Sequence, residues 1–333
     1  MEKQTVYQQL AAGIGQPKSE TMAEIFQVVA DQDEASVLLA ASPPKTLTQL
    51  AEETGLEESA IEAMIDPLFK KGLLFKSKKP DATRYYRVRS YMQWHDSSAV
   101  MNDPPKGLMD LWKKWHNEEW TGASLQMEEH LRGPALRVIP VNLSIDFNSQ
   151  ILAIDDVTDL VDRARNIAVT RCSCRVIDGA CGHELWNCLQ LDKAADYAIE
   201  RGTGKPLTKE ETLQLLEDCE EEGLVHTAGA NRGVGHVICN CCNDCCINWT
   251  SIREGLGKFI VPSRFKAEIE QDDCTGCELC IDRCYFDAMH MEEDGMYATV
   301  NEENCLGCGL CQVVCAPEAI QMAETRPQEF IPA

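Results

Sequence analysis

The pattern of apolar and polar positions divides residues 20–90 into short helical segments followed by two strands. Glu24–Ala40 is predicted to be one helix, ended by Ser42-Pro43-Pro44, because apolar residues recur near helical spacing at Ile25, Val28, Val29 and Leu38. Thr46 opens a short helix that Gly55 closes. The next predicted helix covers Glu57–Lys71, and its apolar face comprises Ile61, Met64, Ile65, Leu68 and Phe69.

Two strands, Leu73–Lys76 and Tyr85–Val88, follow and are joined by the polar loop Ser77–Thr83. This order of elements resembles a winged helix-turn-helix over residues 1–95. The resemblance implies either DNA binding or protein contact. The candidate recognition helix carries Glu57, Glu58 and Glu62, which repel phosphates, whereas the wing carries Lys76, Lys78, Lys79, Arg84, Arg87 and Arg89. We therefore expect a winged-helix-like domain that serves protein contact or homodimerisation, and not nucleic-acid binding.

Tryptophan is concentrated just after this domain, at Trp94, Trp112, Trp115 and Trp120. Trp112 and Trp115 are three residues apart, so they are expected on one helical face, where they fill a core or an interface. We interpret residues 96–135 as a Trp-rich linker and helix. The stretch 136–261 then predicts a cysteine-rich α+β domain, with a strand over Leu136–Leu143, a helix over Val157–Ala168, a strand over Ile167–Thr170 and a helix over Thr208–Glu222.

The chain of 333 residues contains eighteen cysteines, and all of them lie between Cys172 and Cys315. No export signal precedes them, and a reducing cytoplasm disfavours disulfides. Clustered thiols in such a chain point to metal ligands instead. We therefore expect a cytoplasmic protein from a host that avoids oxygen, because many thiolates and exposed clusters are easily oxidised.

Two copies of one cysteine motif follow each other in residues 262–333, at an offset of 31 residues. Each copy has the spacing C-x2-C-x2-C-x3-C; the cysteines are Cys274, Cys277, Cys280 and Cys284 in the first, and Cys305, Cys308, Cys311 and Cys315 in the second. A tight loop with two residues between successive cysteines can wrap three corners of a cubane, and Gly276 and Gly307 permit the unusual backbone angles. Eight zinc-binding cysteines are the alternative reading of the same residues.

The repeat resembles the two-cluster ferredoxins of bacteria. In that family the fourth cysteine of each motif ligates the opposite cluster. The resemblance therefore implies two 4Fe–4S clusters, one held by Cys274, Cys277, Cys280 and Cys315, the other by Cys305, Cys308, Cys311 and Cys284.

A second cysteine system lies in the central region. Its nine candidate ligands are Cys172, Cys174, Cys181, Cys188, Cys239, Cys241, Cys242, Cys245 and Cys246. A CxCR motif followed by an ICNCC-type motif resembles a family of iron–sulfur proteins of anaerobes. We expect one or two further iron–sulfur clusters here, with zinc or a redox-active dithiol as alternatives. The nearby His183, His226 and His236 are expected to be ordinary polar residues, and Cys219 a buried small side chain.

The net charge of −23 argues against nucleic acid as the main partner and suits docking to a basic patch on a redox partner, although it also serves solubility alone. No apolar run is long enough to cross a bilayer.

The fold class expected is α+β, with winged-helix-like, central and ferredoxin-type domains. The expected function is electron transfer between a donor and a partner oxidoreductase. Whether the chain is an enzyme stays open: an iron–sulfur reductase acting on a disulfide or cofactor and a redox-sensing regulator are the alternatives. No nucleotide fingerprint is present, so a flavin or NAD(P)H belongs to the partner.

Overall fold

The computed structural model describes residues 4–130, 134–141, 156–230, 235–253 and 259–331. Helices and strands are mixed along the chain, so the expected α+β class is confirmed. The chain divides into two compact units. The first comprises Met1–Ala123 with Arg171–Gly179 and Glu200–Thr203, and the second comprises Ser124–Thr170 with Ala180–Ile199 and Gly204–Ala333. No helix in the described ranges has the length and apolarity that a membrane span requires.

The first unit is mainly helical. Its elements are α1 Val6–Gly13, α2 Glu20–Val29, α3 Gln32–Ala40, α4 Leu47–Thr54, α5 Glu58–Lys70, β1 Leu74–Lys78, β2 Thr83–Arg87, α6 Tyr91–Ala99 and α7 Leu108–Glu118. Helix α8, Trp120–His130, begins in this unit, and α10, Ser173–Asp178, belongs to it.

The single helix predicted over Glu24–Ala40 is wrong, because Asp31 divides it. Asp31 caps α3: its carboxylate accepts from the Glu34 amide at 2.8 Å, and the Glu34 carboxylate accepts from the Asp31 amide at 3.1 Å. This reciprocal pair satisfies two amides that the first turn of a helix leaves without partners. Helix α2 therefore ends at Val29, and α3 starts afresh at Gln32.

The other predicted elements of this unit are confirmed, with ends shifted by one or two residues. Thr46 caps α4, and Gly55 ends it in the left-handed conformation. Strands β1 and β2 form the expected antiparallel hairpin, with Phe75 opposite Tyr86. The tryptophans fill the core as expected: Trp94, Trp112, Trp115 and Trp120 are fully buried and their rings contact one another edge to face.

The second unit contains the larger sheet and the cysteine loops. Its strands are β3 Leu136–Ile139, β4 Ile167–Arg171, β5 Trp186–Leu191, β6 Gly204–Leu207, β7 Val225–Gly229, β8 Val237–Cys241, β9 Ile260–Val261, β10 Phe265–Ile269, β11 Met289–Met291, β12 Ala298–Val300 and β13 Ile320–Glu324. Its helices are α9 Val157–Arg163, α11 Lys193–Glu200, α12 Lys209–Glu222, α13 Ile247–Arg253, α14 Leu279–Asp282 and α15 Leu310–Val313.

Within the described residues, seven of these strands form one sheet in the order β6-β4-β5-β8-β7-β3-β9. Strand β3 runs parallel to β9 and antiparallel to β7. Helix α12 is confirmed: Thr208 caps it, Gly223 ends it, and Leu216 packs in the core between the sheet and α9. Leu216 holds α12 in this core, and Cys219, near the end of the same helix, packs with Cys242 and Cys245.

The helix predicted over Val157–Ala168 ends at Arg163, earlier than expected. Ala164 has an extended backbone, with φ −70° and ψ 135°, and the chain then enters β4. Ala168 therefore lies in a buried strand and not in a helix. Of the strand predicted over Leu136–Leu143, residues 136–139 are strand and Leu143 lies outside the described residues.

The C-terminal part repeats one layout twice. Strand β10 pairs with β13, and β11 pairs with β12, both antiparallel. The short helices α14 and α15 each begin just before the third cysteine of a motif, Cys280 and Cys311. Met289, Phe265 and Met322 pack among the buried cysteines, so the cysteine loops are the centre of this core.

Candidate metal centres

The C-terminal cysteines line two separate cavities, four cysteines in each. The first cavity is lined by Cys274, Cys277, Cys280 and Cys315. The second cavity is lined by Cys284, Cys305, Cys308 and Cys311. Each cavity thus takes three cysteines from one motif and the fourth from the other, although the sequence order alone would group each motif with itself.

Glycine is required where the loops bend around the cavities. Gly276 and Gly307 have φ of +65° and +69°, a backbone conformation that other residues adopt only with strain. A Cβ at Gly307 would overlap the carbonyl oxygen of Phe265 and the hydroxyl of Ser263. The loop at Gly307 therefore lies directly against the Phe265 backbone. Four thiols line each cavity, which is the arrangement that a cubane requires.

The two cavities differ in exposure. Cys277 at the first cavity is exposed to solvent, whereas Cys305 and Cys311 at the second are buried. Burial raises the pKa of Cys280 to about 11 and that of Cys308 to about 12, and neighbouring thiols add to both shifts. These thiols keep their protons at neutral pH without a metal, so metal binding must displace protons.

Three central cysteines face the C-terminal part of the second unit. We name Cys239, Cys241 and Cys246 the inner thiols. The pKa of Cys241 is raised well above its usual value, first by hydrogen bonding with Cys239 and Cys246 and then by burial. Cys241 and Cys246 are buried in one apolar cluster with Leu310, and Cys308 of the second cavity packs against the same cluster. The inner thiols and the second cavity are therefore neighbours in one packed core.

Cys188 lies on the strand next to the inner thiols. Leu189 pairs with Ile238 across β5 and β8. The same antiparallel register, continued by one residue, sets Cys188 opposite Cys239. The amide of Gln190 donates to the Cys188 sulfur at 3.2 Å, and Cys188 is half-buried.

Three further central cysteines gather on the other side of β8. We name Cys181, Cys242 and Cys245 the outer thiols; their sulfurs and a carboxylate oxygen of Asp244 all lie within 4.8 Å of one another. The sulfurs of Cys181 and Cys242 are 3.9 Å apart. Adjacent cysteines in Cys241-Cys242 and Cys245-Cys246 therefore serve different groups, one member in each.

Cys172 and Cys174 belong to the first unit, where they flank the start of α10. The pKa of Cys172 is raised well above its usual value, first by hydrogen bonding with Cys174 and then by burial. Arg175 is buried in the same turn, and Arg171 donates to the carbonyl oxygens of Val100 and Met101 at 2.9 Å. These cysteines form a close pair within their own unit.

A buried polar network behind the inner thiols did not follow from the sequence. His226 is fully buried, its Nε2 lies 3.1 Å from Glu220 and its Nδ1 lies 2.7 Å from the Oδ1 of Asn240. Asn240 stands between Cys239 and Cys241 and donates to the carbonyl of Asn187 at 2.6 Å. Both ring nitrogens are thus engaged and His226 is not a metal ligand. The signal in the sequence is a Glu and a His six residues apart beside an Asn framed by cysteines.

Residues 267–322, less than a fifth of the chain, match a family model described as a 4Fe-4S dicluster domain. No curated protein and no solved structure matches the chain. The matched span begins within β10, ends within β13 and contains both cavities. This part of the chain is therefore an iron–sulfur, ferredoxin-like domain.

Proposed function

We propose that the chain transfers electrons between a donor and a partner oxidoreductase in the cytoplasm, through two 4Fe–4S clusters. Cys274, Cys277, Cys280 and Cys315 hold one cluster, and Cys305, Cys308, Cys311 and Cys284 hold the other. The residues fit these groups because each cavity offers four thiols and a loop that bends at a glycine. Such a cluster, when bound, takes up and gives back one electron at a time.

The single observation that carries the proposal is the graded burial of the two cavities. The first cavity reaches solvent at Cys277, where a partner protein can approach. At the second cavity Cys305 and Cys311 are buried, and Ala267, Met289 and Met322 are among the lining residues. The chain thus presents one accessible centre and one shielded centre, an arrangement suited to passing electrons inward.

The amides and apolar side chains around the second cavity tune that centre. The Ala288 amide donates to the Cys284 sulfur at 3.4 Å, which favours its thiolate. Phe286 lines the cavity and contacts Trp249, ring centres 5.3 Å apart, so water is kept from that wall. Hydrogen bonds to sulfur raise a cluster's reduction potential and burial without charge compensation lowers it.

The inner thiols extend this arrangement. Cys188, opposite Cys239, Cys239 itself and Cys241 lie on the paired strands β5 and β8, Cys246 precedes α13, and Cys308 packs against the same cluster. We assign these four thiols a further iron–sulfur cluster, next to the second centre. The acidic surface, with a net charge of −23, suits a partner that presents a basic patch and carries its own flavin or metal.

Anaerobic metal analysis of the full chain with paired cysteine variants tests the cluster assignment. Cys284→Ser combined with Cys308→Ser removes ligands from one centre, so about four irons should be lost. Cys284→Ser combined with Cys277→Ser removes ligands from both, so about eight should be lost. The reverse pattern, with the larger loss from Cys284→Ser combined with Cys308→Ser, would contradict the crossed ligation.

Electron transfer itself is tested with the intact protein. The dithionite-reduced chain should show a paramagnetic signal and should reduce a flavoprotein acceptor, while Cys219→Ala, which changes a buried thiol outside both cavities, should behave like the natural chain. A full chain whose metals are zinc, with no reducible signal, would overturn the proposal.

A further inference from the structure

The outer thiols and Asp244 are spaced as the ligands of a single metal ion are. All four ligand atoms lie within 4.8 Å of one another, and two of the sulfurs are 3.9 Å apart. Ligands of one tetrahedral zinc ion, at bond lengths near 2.3 Å, are separated by about 3.8 Å.

We infer that Cys181, Cys242, Cys245 and Asp244 bind a single zinc ion, separate from the iron–sulfur centres. Three thiolates with one carboxylate form a soft, four-coordinate donor set that suits zinc. Binding releases the protons of the three thiols and neutralises most of their charge. The inference is independent of the proposed function, since none of these residues lines either C-terminal cavity.

The local chain is shaped for such an ion. Cys242 and Cys245 stand on the turn between β8 and α13 with two residues between them, the spacing found in many zinc sites. Cys181 comes from a segment 61 residues earlier. One ion therefore ties together two distant stretches of the second unit.

The four proposed zinc ligands differ in burial, so one side of the site is buried and the other faces solvent. Cys242 and Cys245 are buried in a small apolar cluster with Cys219 and Leu224. Asp244 is exposed, so the carboxylate faces solvent. The Tyr285 hydroxyl donates to the carbonyl of Gly223 at 2.5 Å and so fastens the chain after Cys284 to the end of α12 beside this cluster.

This grouping accounts for the paired cysteines. In Cys241-Cys242 the first side chain packs towards the ferredoxin-like domain and the second packs with Cys219, and Cys246 and Cys245 divide in the same way. A single cubane cannot use both members of such a pair. One ion on the outer side and a cluster on the inner side use all of them.

Metal analysis of the full chain, purified without oxygen, tests the inference. The natural protein should hold one zinc per chain besides its iron. Cys242→Ser should lose that zinc and keep its iron, and Asp244→Asn should bind zinc at least about tenfold more weakly. Cys219→Ala is the matched control: it removes a buried thiol of the same apolar cluster that is outside the four-ligand group, and it should keep the zinc.

X-ray absorption at the zinc edge provides a second measurement that needs no variant to fold. The expected shell is three sulfurs at about 2.3 Å and one oxygen, with no iron neighbour. Two results overturn the inference. One is a natural chain without zinc whose Cys242→Ser variant loses three or four irons. The other is a zinc shell of four sulfurs, which would exclude Asp244.

Discussion

Gly276 and Gly307 occupy equivalent places in the two cysteine loops, but their surroundings differ. Both have positive φ, +65° and +69°, so a side chain costs strain at either one. A Cβ at Gly276 would lie 3.0 Å from the carbonyl oxygen of Met296, which is tight, whereas a Cβ at Gly307 would overlap the Phe265 carbonyl and the Ser263 hydroxyl. The second loop therefore has no room to adjust.

We expect Gly307→Ala to remove the second cavity's cluster, about four irons, and Gly276→Ala to retain both clusters with lower stability. Gly295→Ala is the control for backbone strain alone, because Gly295 has φ +70° with nothing near its Cβ position; it should cost only about 1 to 2 kcal/mol. Iron content and thermal unfolding of the three variants give the comparison. Equal iron loss from Gly276→Ala and Gly307→Ala would show that backbone strain determines cluster loss, and not the overlap of the new Cβ with Phe265 and Ser263.

The network of Glu220, His226 and Asn240 joins a buried carboxyl group to a buried imidazole. Asn240 uses its amino group on the Asn187 carbonyl, so its oxygen faces the ring of His226 and Nδ1 donates to it. The carboxyl group of Glu220 lies 3.1 Å from Nε2, so a hydrogen bond joins the two side chains.

Breaking this pair should be costly. Glu220→Gln or His226→Gln alone leaves a buried polar group without its natural partner and should lower the unfolding free energy by about 2 kcal/mol, whereas the double variant should recover part of the loss. Asp162→Asn is the control, since it breaks the exposed pair with Lys209 and should cost less than about 1 kcal/mol. Thermal unfolding of the cluster-loaded chain measures all four. If the double variant loses as much unfolding free energy as the two single variants together, the two side chains are not coupled.

At the scale of elements, cap residues explain which sequence predictions were right. Thr46 with Gly55, and Thr208 with Gly223, mark both ends of a helix, and both helices were predicted. Asp31 also carries such a signal, with Glu34 three residues later, but the apolar spacing continues across it and hides the break. Periodicity alone cannot distinguish one long helix from two that share a buried face.

The adjacent cysteines are where sequence reasoning could not go further. The order Cys241-Cys242 and Cys245-Cys246 predicts crowding and divergent side chains. Which side each thiol takes depends on the partner segments: Leu310 comes from α15 on one side and Cys219 from α12 on the other. Those contacts span tens of residues of sequence, so no local pattern contains them.

Helix α5 gives the structural test of the winged-helix interpretation. Glu58, Glu62 and Asp66 are exposed at four-residue intervals and form an acidic stripe along the helix. On the hairpin, Lys76 pairs with Glu200, Arg84 pairs with Asp81, and Arg87 is buried. Half of the basic residues that the sequence offers to a nucleic acid are therefore already engaged.

We expect no sequence-specific DNA complex of the full chain at physiological salt, because the acidic stripe would face the phosphates. Replacing Glu58 and Glu62 by lysine should raise non-specific binding and steepen its salt dependence, which shows that the assay detects binding through this face. Fluorescence anisotropy with random and genomic duplexes measures it. A salt-resistant complex of the natural chain with one defined sequence would favour the regulator over protein contact.

At the scale of the whole chain, the two cavities of the ferredoxin-like domain differ in which parts of the chain form their walls. Ile269, Val314 and Ile320, all from the domain, line the first cavity. Around the second, Leu306 and Cys308 pack with Val138 and Cys241 of the large sheet, and the Val141 amide donates to the Cys308 carbonyl at 3.0 Å. One wall of the second centre is therefore built by residues outside the domain.

The fragment 262–333 should consequently bind about eight irons but protect them unequally. Without β3, β8 and α13 the side of Cys308 faces water, and oxidation of a cluster follows its exposure. In air, the second centre should bleach faster in the fragment than in the full chain, whereas the first centre should bleach at the same rate in both. Of these two centres, Cys315→Ser leaves only the second and Cys308→Ser only the first. Any absorbance from the inner thiols is the same in both variants, so the difference between their absorbance decays, in fragment and full chain, separates the rates. If the second centre is equally long-lived in both contexts, the large sheet does not shield it.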